Sequence, residues 1–297
     1  MERRQGYLVI DDFSREQADY YEHYWVCIEG VEYYFKPTEF VYNELIGYRI
    51  AQLLGIDACY CDLAILNGQR GIISKSLRSP NSKLVPGNLI VGEYAQKFPD
   101  IIKNMGFVGG NLEMIIKNCL DGNSSLVYSI NNLEVIIRAL EWRYGHLVDI
   151  NKIIEQFILM YLYTIIVTDV DRGPLNWMIL EMPNNIGLGP LIDNEWTFRD
   201  TDAETPISLF VDFKDYYSTP FESLQYFLSV YPKKYFTLFE EMFDKVIVNF
   251  EGIIKAVEKQ TGVPIPSEIK TKIVRKFTEN VKKIREIIAD VKLKQQR

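Results

Sequence analysis

Asp171 and Asn176 stand in the spacing Asp-x-x-x-x-Asn, within Asp171-Arg172-Gly173-Pro174-Leu175-Asn176, and Asp193 follows an apolar run at 188–192. Two carboxylates and an amide oxygen can orient a hydroxyl and ligate a hard cation such as magnesium, which prefers oxygen donors. Phosphoryl transfer from ATP asks for little more: a carboxylate beside the attacking hydroxyl, oxygen ligands for magnesium, and a cation on the phosphates. Lys36, closing an aromatic and β-branched run, supplies the cation, and Glu44 lies about one and a half turns into the helix predicted after it, where it can hold an ammonium group. Ser76, near the end of a later predicted strand, is a further candidate cofactor contact. So is Ser14, in the stretch 12–22 that can serve as a phosphate loop through its hydroxyl and backbone amides. Each residue alone says little, because an Asp-x-x-x-x-Asn match arises about once by chance in a chain of this size. Strand-end lysines and helix glutamates, moreover, are mostly solvated. The weight lies in their order along the chain and in the elements that flank them.

The first 77 residues read as strand-rich and the remainder as mostly helical. Runs at 24–29 and 31–36 meet at Glu29-Gly30 as a hairpin, and 6–10 offers an earlier strand. A helix follows, with Thr38 as its cap and Gly55 at its end. Strands at 62–66 and 71–77 then flank Asn67-Gly68, the strongest short hairpin signal in the chain. The polar stretch 79–83 reads as a connector between two parts.

Beyond it, helices are predicted over 133–143, capped by Asn131 or Asn132, and over 152–167, whose apolar residues cover nearly the whole circumference and must be buried. Strands at 177–180 and 188–192 would deliver Asp193 directly, and the acidic segment 200–215 follows where a basic acceptor peptide would meet it. Thr219-Pro220-Phe221-Glu222 marks a helix start with a reciprocal cap, ahead of a long helix over 235–259.

At 47% apolar and 25% charged, 297 residues compose an ordinary folded chain. The longest apolar run, 157–167, falls short of a membrane span, and the N-terminus carries no apolar leader, so a cytoplasmic location is expected by default. Four cysteines without a paired CxxC and only two histidines leave little material for a disulfide framework or a histidine-based metal site. The net charge of −7 conceals a basic C-terminal segment: from Ser267 onward ten Lys or Arg stand against four Asp or Glu, leaving −13 for the remainder. Its apolar residues recur at helical spacing, so it reads as an amphipathic helix docked on an acidic body, and direct nucleic-acid binding is not expected.

Three blocks, YYFKPTEFVYNELIGYRIAQLLGI, LMYLYTIIVTDVDRGPLNWMI and LGPLIDNEW, resemble the HipA-like kinases, and more distantly the lipid kinases and aminoglycoside-type phosphotransferases. The resemblance implies an α+β, two-lobed protein-kinase-like fold, with a β-rich N-terminal lobe carrying one helix over 1–78 and a larger helical lobe over 79–297. It implies a serine/threonine protein kinase using ATP and Mg2+, with an unidentified protein substrate and an antitoxin or other regulatory protein as partner. Lys36 would then contact the ATP phosphates with Glu44 in support, Asp171 would be catalytic, and Asn176 and Asp193 would ligate metal. The chain departs from the family in having Gly173-Pro174 where many relatives have histidine after the Asp-Arg pair, and in lacking a clear glycine-rich loop before Lys36. A small-molecule phosphotransferase and a nucleotide-binding pseudokinase acting as an interaction module remain the alternative readings.

Overall fold

The computed structural model describes residues 3–10, 14–17 (as backbone), 23–78, 81–107, 110–122, 128–199, 205–209, 211 and 218–295. The side chain of Ser14, most of the stretch 12–22, Ser79, Pro80 and most of the acidic segment 200–215 lie outside them.

Seven strands near the N-terminus form one sheet: β1 (Arg3–Arg4), β2 (Tyr7–Ile10), β3 (Ser14–Gln17), β4 (Tyr24–Ile28), β5 (Val31–Pro37), β6 (Cys61–Leu66) and β7 (Gln69–Lys75). Their order is β1-β2-β6-β7-β5-β4-β3, and β2 pairs with β6 in parallel while the other pairs are antiparallel. Both predicted hairpins form, because Glu29-Gly30 and Asn67-Gly68 all adopt the positive φ that a tight two-residue connection requires. The sheet has two strands more than the five read from the sequence, β1 and β3.

Alternation along β5 sends Phe35 into a small cluster with Val26, Ile28 and Ile73 on one face, and Tyr34 and Lys36 to the other. Helix α1 (Val41–Leu54) begins after Phe40 and ends, as predicted, on Gly55 in the left-handed conformation. Thr38 does not cap it: its hydroxyl accepts from the Phe40 N–H and donates to Glu195.

Strand β8 (Lys83–Pro86) crosses to pair with β9 (Met178–Met182), which pairs with β10 (Asn185–Leu188). The predicted strand at 188–192 is displaced. β10 ends at Leu188, Gly189-Pro190 interrupts it, and only Leu191 bridges, to Ala58. Helices α2 (Gly87–Lys97), α3 (Pro99–Asn104) and α4 (Leu112–Leu120), which sequence patterning left unassigned, follow β8. Gly87 is obligatory at the first of these starts, since a Cβ there would lie 2.3 Å from the Trp177 ring.

Helices α5 (Leu133–Tyr144), capped by Asn132, and α6 (Ile150–Val167) match their predicted positions. With its start at Ile150, α6 has 18 residues and is apolar and long enough to cross a membrane by composition alone, which corrects the shorter run read from the sequence. Its place at the centre of the core accounts for that character: Phe157, Tyr161, Leu162, Tyr163 and Ile165 are fully buried. Helices α7 (Pro220–Val230), α8 (Lys233–Thr261) and α9 (Ser267–Gln295) complete the described chain. One apolar core joins α1, α6, α8 and α9. The basic helix α9 docks as expected, burying Ile273, Phe277, Ile284 and Val291 while Lys270 and Lys292 reach Glu258 and Glu240.

At the start of α7, Thr219 and Glu222 exchange backbone-to-side-chain hydrogen bonds in a complete capping box. Thr219→Ala is expected to destabilise the protein by about 1 kcal/mol, read as a lower urea midpoint with unchanged slope.

Candidate active site

Between the inner face of the sheet and the loops after α6 lies a cavity of about 740 Å³, lined by Lys36, Glu44, Ser76, Asp171, Asn176 and Asp193 among others. Six of the seven candidate residues therefore converge on one space, and the seventh is Ser14. Ser76 is already engaged there, donating to Glu32 at 2.6 Å and accepting from the Arg78 N–H.

Asp171 sits on a tight loop held by its own backbone. Its N–H donates to Asp169 Oδ1, its carbonyl accepts from Gly173 N–H at 2.7 Å, and Asn176 Nδ2 donates to the same carbonyl at 2.6 Å. That bond fixes the Asn176 amide by its nitrogen and leaves Oδ1 as the atom available to a metal. Asp193 adopts φ of 54°, a left-handed backbone that costs about 1–3 kcal/mol and persists only where the surroundings impose it. Arg172 imposes it. Its guanidinium donates to the carbonyls of Asn176, Ile192 and Asp193, to Asn194 Oδ1 and to Asp169 Oδ2, and it is wholly buried.

Lys36 Nζ lies 2.7 Å from Asp193 Oδ1 and 3.1 Å from Glu195 Oε2. Among the described residues, Glu44 forms no ion pair with it. Instead Glu44 is buried, accepts from Asn194 Nδ2 at 3.3 Å, and sits where α1 meets the segment after Asp193. Two features bring these together: Asn43 Nδ2 donates to the Thr197 carbonyl, and Gly47 leaves room that a Cβ would take from Asn194 and Thr197.

No protein-family model matches the chain, and no curated protein matches its sequence. Among solved structures, the proinflammatory kinase CtkA of Helicobacter pylori superposes with a TM-score of 0.64 at 15% identity, covering 96% of this chain and 98% of that one. The fold is kinase-like. HipA of the Shewanella oneidensis MR-1 toxin–antitoxin system, solved with HipB and operator DNA, superposes with a TM-score of 0.47 at 14% identity, covering 87% of this chain and 60% of that one. The kinase-like fold agrees with the α+β architecture expected from the sequence, a β-rich N-terminal sheet with a larger helical C-terminal part.

Within this kinase-like frame the electrostatics follow burial. Burial lowers the proton affinity of Lys36, but Asp193 and Glu195 outweigh it and hold the ammonium above its ordinary range. Burial, aided by the Asp193 charge, pushes the Glu44 carboxyl up to about 7. Burial also raises Asp169, against the opposing pull of Arg172. Patterning missed Asp169, Arg172, Asn194 and Glu195 as site residues and read Thr38 only as a helix cap. The Asp169-Val170-Asp171-Arg172 run carried a readable signal, an acid and a base three apart directly after a buried helix.

Removing Arg172 strands the Asp169 carboxylate in the core. Arg172→Met is therefore expected to cost about 3–5 kcal/mol in urea unfolding, and adding Asp169→Asn should recover part of that loss. Glu44 predicts a pH dependence. The folded protein keeps its proton up to about 7 while the unfolded chain releases it near 4.5, so its contribution to stability falls as pH rises between the two. Glu44→Gln has no such proton to lose, so its stability relative to the parent should be greater at about pH 7.5 than at about pH 5. A constant difference between the two pH values would contradict that assignment.

Proposed function

We propose that the protein is an ATP- and magnesium-dependent kinase that transfers the γ-phosphoryl group to a serine or threonine hydroxyl of a protein substrate, in the cytoplasm. Residues 1–78 act as the phosphate-side lobe and 79–297 as the lobe carrying the catalytic loop. The observation behind this reading is the convergence of Lys36, Asp193, Asn176 and Asp171 on one cavity within a kinase-like fold.

The donor set suits magnesium. Asp193 and Asn176 offer a carboxylate and an amide oxygen, and the Lys36 ammonium already lies against Asp193 as a cation would. Bound there with ATP, magnesium supplies neutralisation of the phosphate charge. Lys36 adds its own positive charge toward the phosphates. Asp171 receives the proton of the acceptor hydroxyl as that oxygen bonds to the γ-phosphorus, and the bond from phosphorus to the bridging oxygen breaks to release ADP. The hydrogen bonds that fix the backbone of Asp171 limit the reorganisation its carboxylate needs to meet the hydroxyl.

Incubation with labelled ATP, magnesium and a cell extract depleted of small molecules tests this. Phosphate should appear on serine or threonine, with Asp171→Asn lowering kcat by about 10²–10⁴-fold and Asp193→Ala abolishing transfer at ordinary magnesium. Absence of transfer to any protein, or equal transfer by Asp171→Asn, would sink the reading.

A further inference from the structure

The environment of Lys36 differs at one point from the arrangement expected of a strand lysine and a helix glutamate. The helix glutamate, Glu44, is occupied elsewhere. Its Oε1 accepts from Asn194, and burial disfavours its charge. The carboxylate that reaches Lys36 from outside the metal-ligand pair is Glu195, and its Oε2 receives two donors, Lys36 Nζ at 3.1 Å and Thr38 Oγ1 at 3.0 Å. Thr38 is itself oriented by the Phe40 N–H at the threshold of α1. Glu195 is thus bound to the same strand-to-helix turn that carries the lysine.

We propose that Glu195 is the positioning residue for Lys36, keeping the ammonium in the cavity when a cation claims Asp193. This rests on the kinase reading above. The ammonium and a divalent cation compete for Asp193, since Lys36 lies 2.7 Å from its Oδ1. A lysine whose single anchor is taken gains the freedom of a long, flexible side chain. Glu195 is a second anchor that metal binding at Asp193 does not remove, so Lys36 needs only a small displacement to face a phosphate. Glu195 is partly buried, with 18% of its side-chain surface exposed, which limits solvent screening of the pair.

Nitrogen-15 labelling of the lysine side chains in the full chain, without nucleotide, tests the ion pair directly. Lys36 Nζ should give a slowly exchanging resonance, assigned by its loss in Lys36→Met. In an Asp193→Ala background, where Asp193 no longer shares the ammonium, the slow exchange should persist, Glu195→Gln should abolish it and Glu44→Gln should retain it. With magnesium and ATP, Glu195→Gln should raise KM for ATP about tenfold and change kcat by less than about twofold. The double variant Lys36→Met/Glu195→Gln should bind the analogue AMP-PNP no more weakly than Lys36→Met alone.

Should Glu195→Gln fail to fold, Glu195→Asp, which keeps the charge on a shorter arm, should show faster exchange at the same resonance. Slow exchange that survives in a folded Asp193→Ala/Glu195→Gln, or is lost in Asp193→Ala/Glu44→Gln, would overturn the proposal, as would additive effects in Lys36→Met/Glu195→Gln. A parent protein that transfers no phosphate while its Lys36 resonance still depends on Glu195 would overturn the kinase reading and leave Glu195 as the holder of Lys36.

Discussion

A single buried guanidinium ties together the two loops on which the site depends. Arg172 is wholly enclosed, so its charge must be matched inside the protein, and it is matched by Asp169, Asn194 Oδ1 and the carbonyls of Asn176, Ile192 and Asp193. Asp169 and Arg172 sit on either side of Asp171, so the proposed base is carried between two halves of a buried ion pair. The same guanidinium holds the carbonyls around Asp193 and thereby its left-handed backbone. Geometry that costs energy locally is stabilised by a group that would cost far more if left unpaired.

Around Lys36 the problem is the reverse, with more anions than cations. Asp193, Glu195 and Glu44 all lie within reach of its field, and three carboxylates around one ammonium would repel one another. The structure relieves this by depth. Asp193 and Glu195 keep partial contact with solvent and share the ammonium, while Glu44, buried and raised to about 7, can carry a proton near neutrality. A neutral Glu44 still serves as an acceptor for Asn194, so the junction of α1 with the segment after Asp193 survives the loss of its charge.

Much of this was legible in the sequence wherever the cause was local. Asn67-Gly68 and Glu29-Gly30 announce their hairpins because positive φ is a property of those residues, and Thr219-Pro220-Phe221-Glu222 carries its whole cap within four positions. The loop that lines the cavity was legible because Asp171, Asn176 and Asp193 are close along the chain and flanked by a helix and a strand. What escaped was decided by closure of the fold. β8 finds its partner β9 across several helices, and the second carboxylate against Lys36 comes from Glu195, brought to Thr38 only when α1 docks. Glu44 had the right type and spacing, but Gly47 lets α1 approach so closely that Asn194 takes the carboxylate first.

The C-terminal helices extend the same dependence outward. The turn between α6 and the Asp171 loop passes through Thr168, also left-handed, whose hydroxyl accepts from Asn280 on α9 at 2.9 Å. Phe198, just after the Glu195 segment, donates its N–H to the Val167 carbonyl and packs edge-on against Phe250 of α8 and Phe277 of α9, which stack on each other. Helices α8 and α9 are remote from the cavity, yet they close the apolar shell behind both loops, and α8 also packs along α1. Apolar burial of that kind is non-directional, and it cannot by itself set a carboxylate to a fraction of an ångström. It can exclude water from the Arg172 network, and exclusion of water is what makes those hydrogen bonds strong enough to hold Asp171 and Asp193 in register.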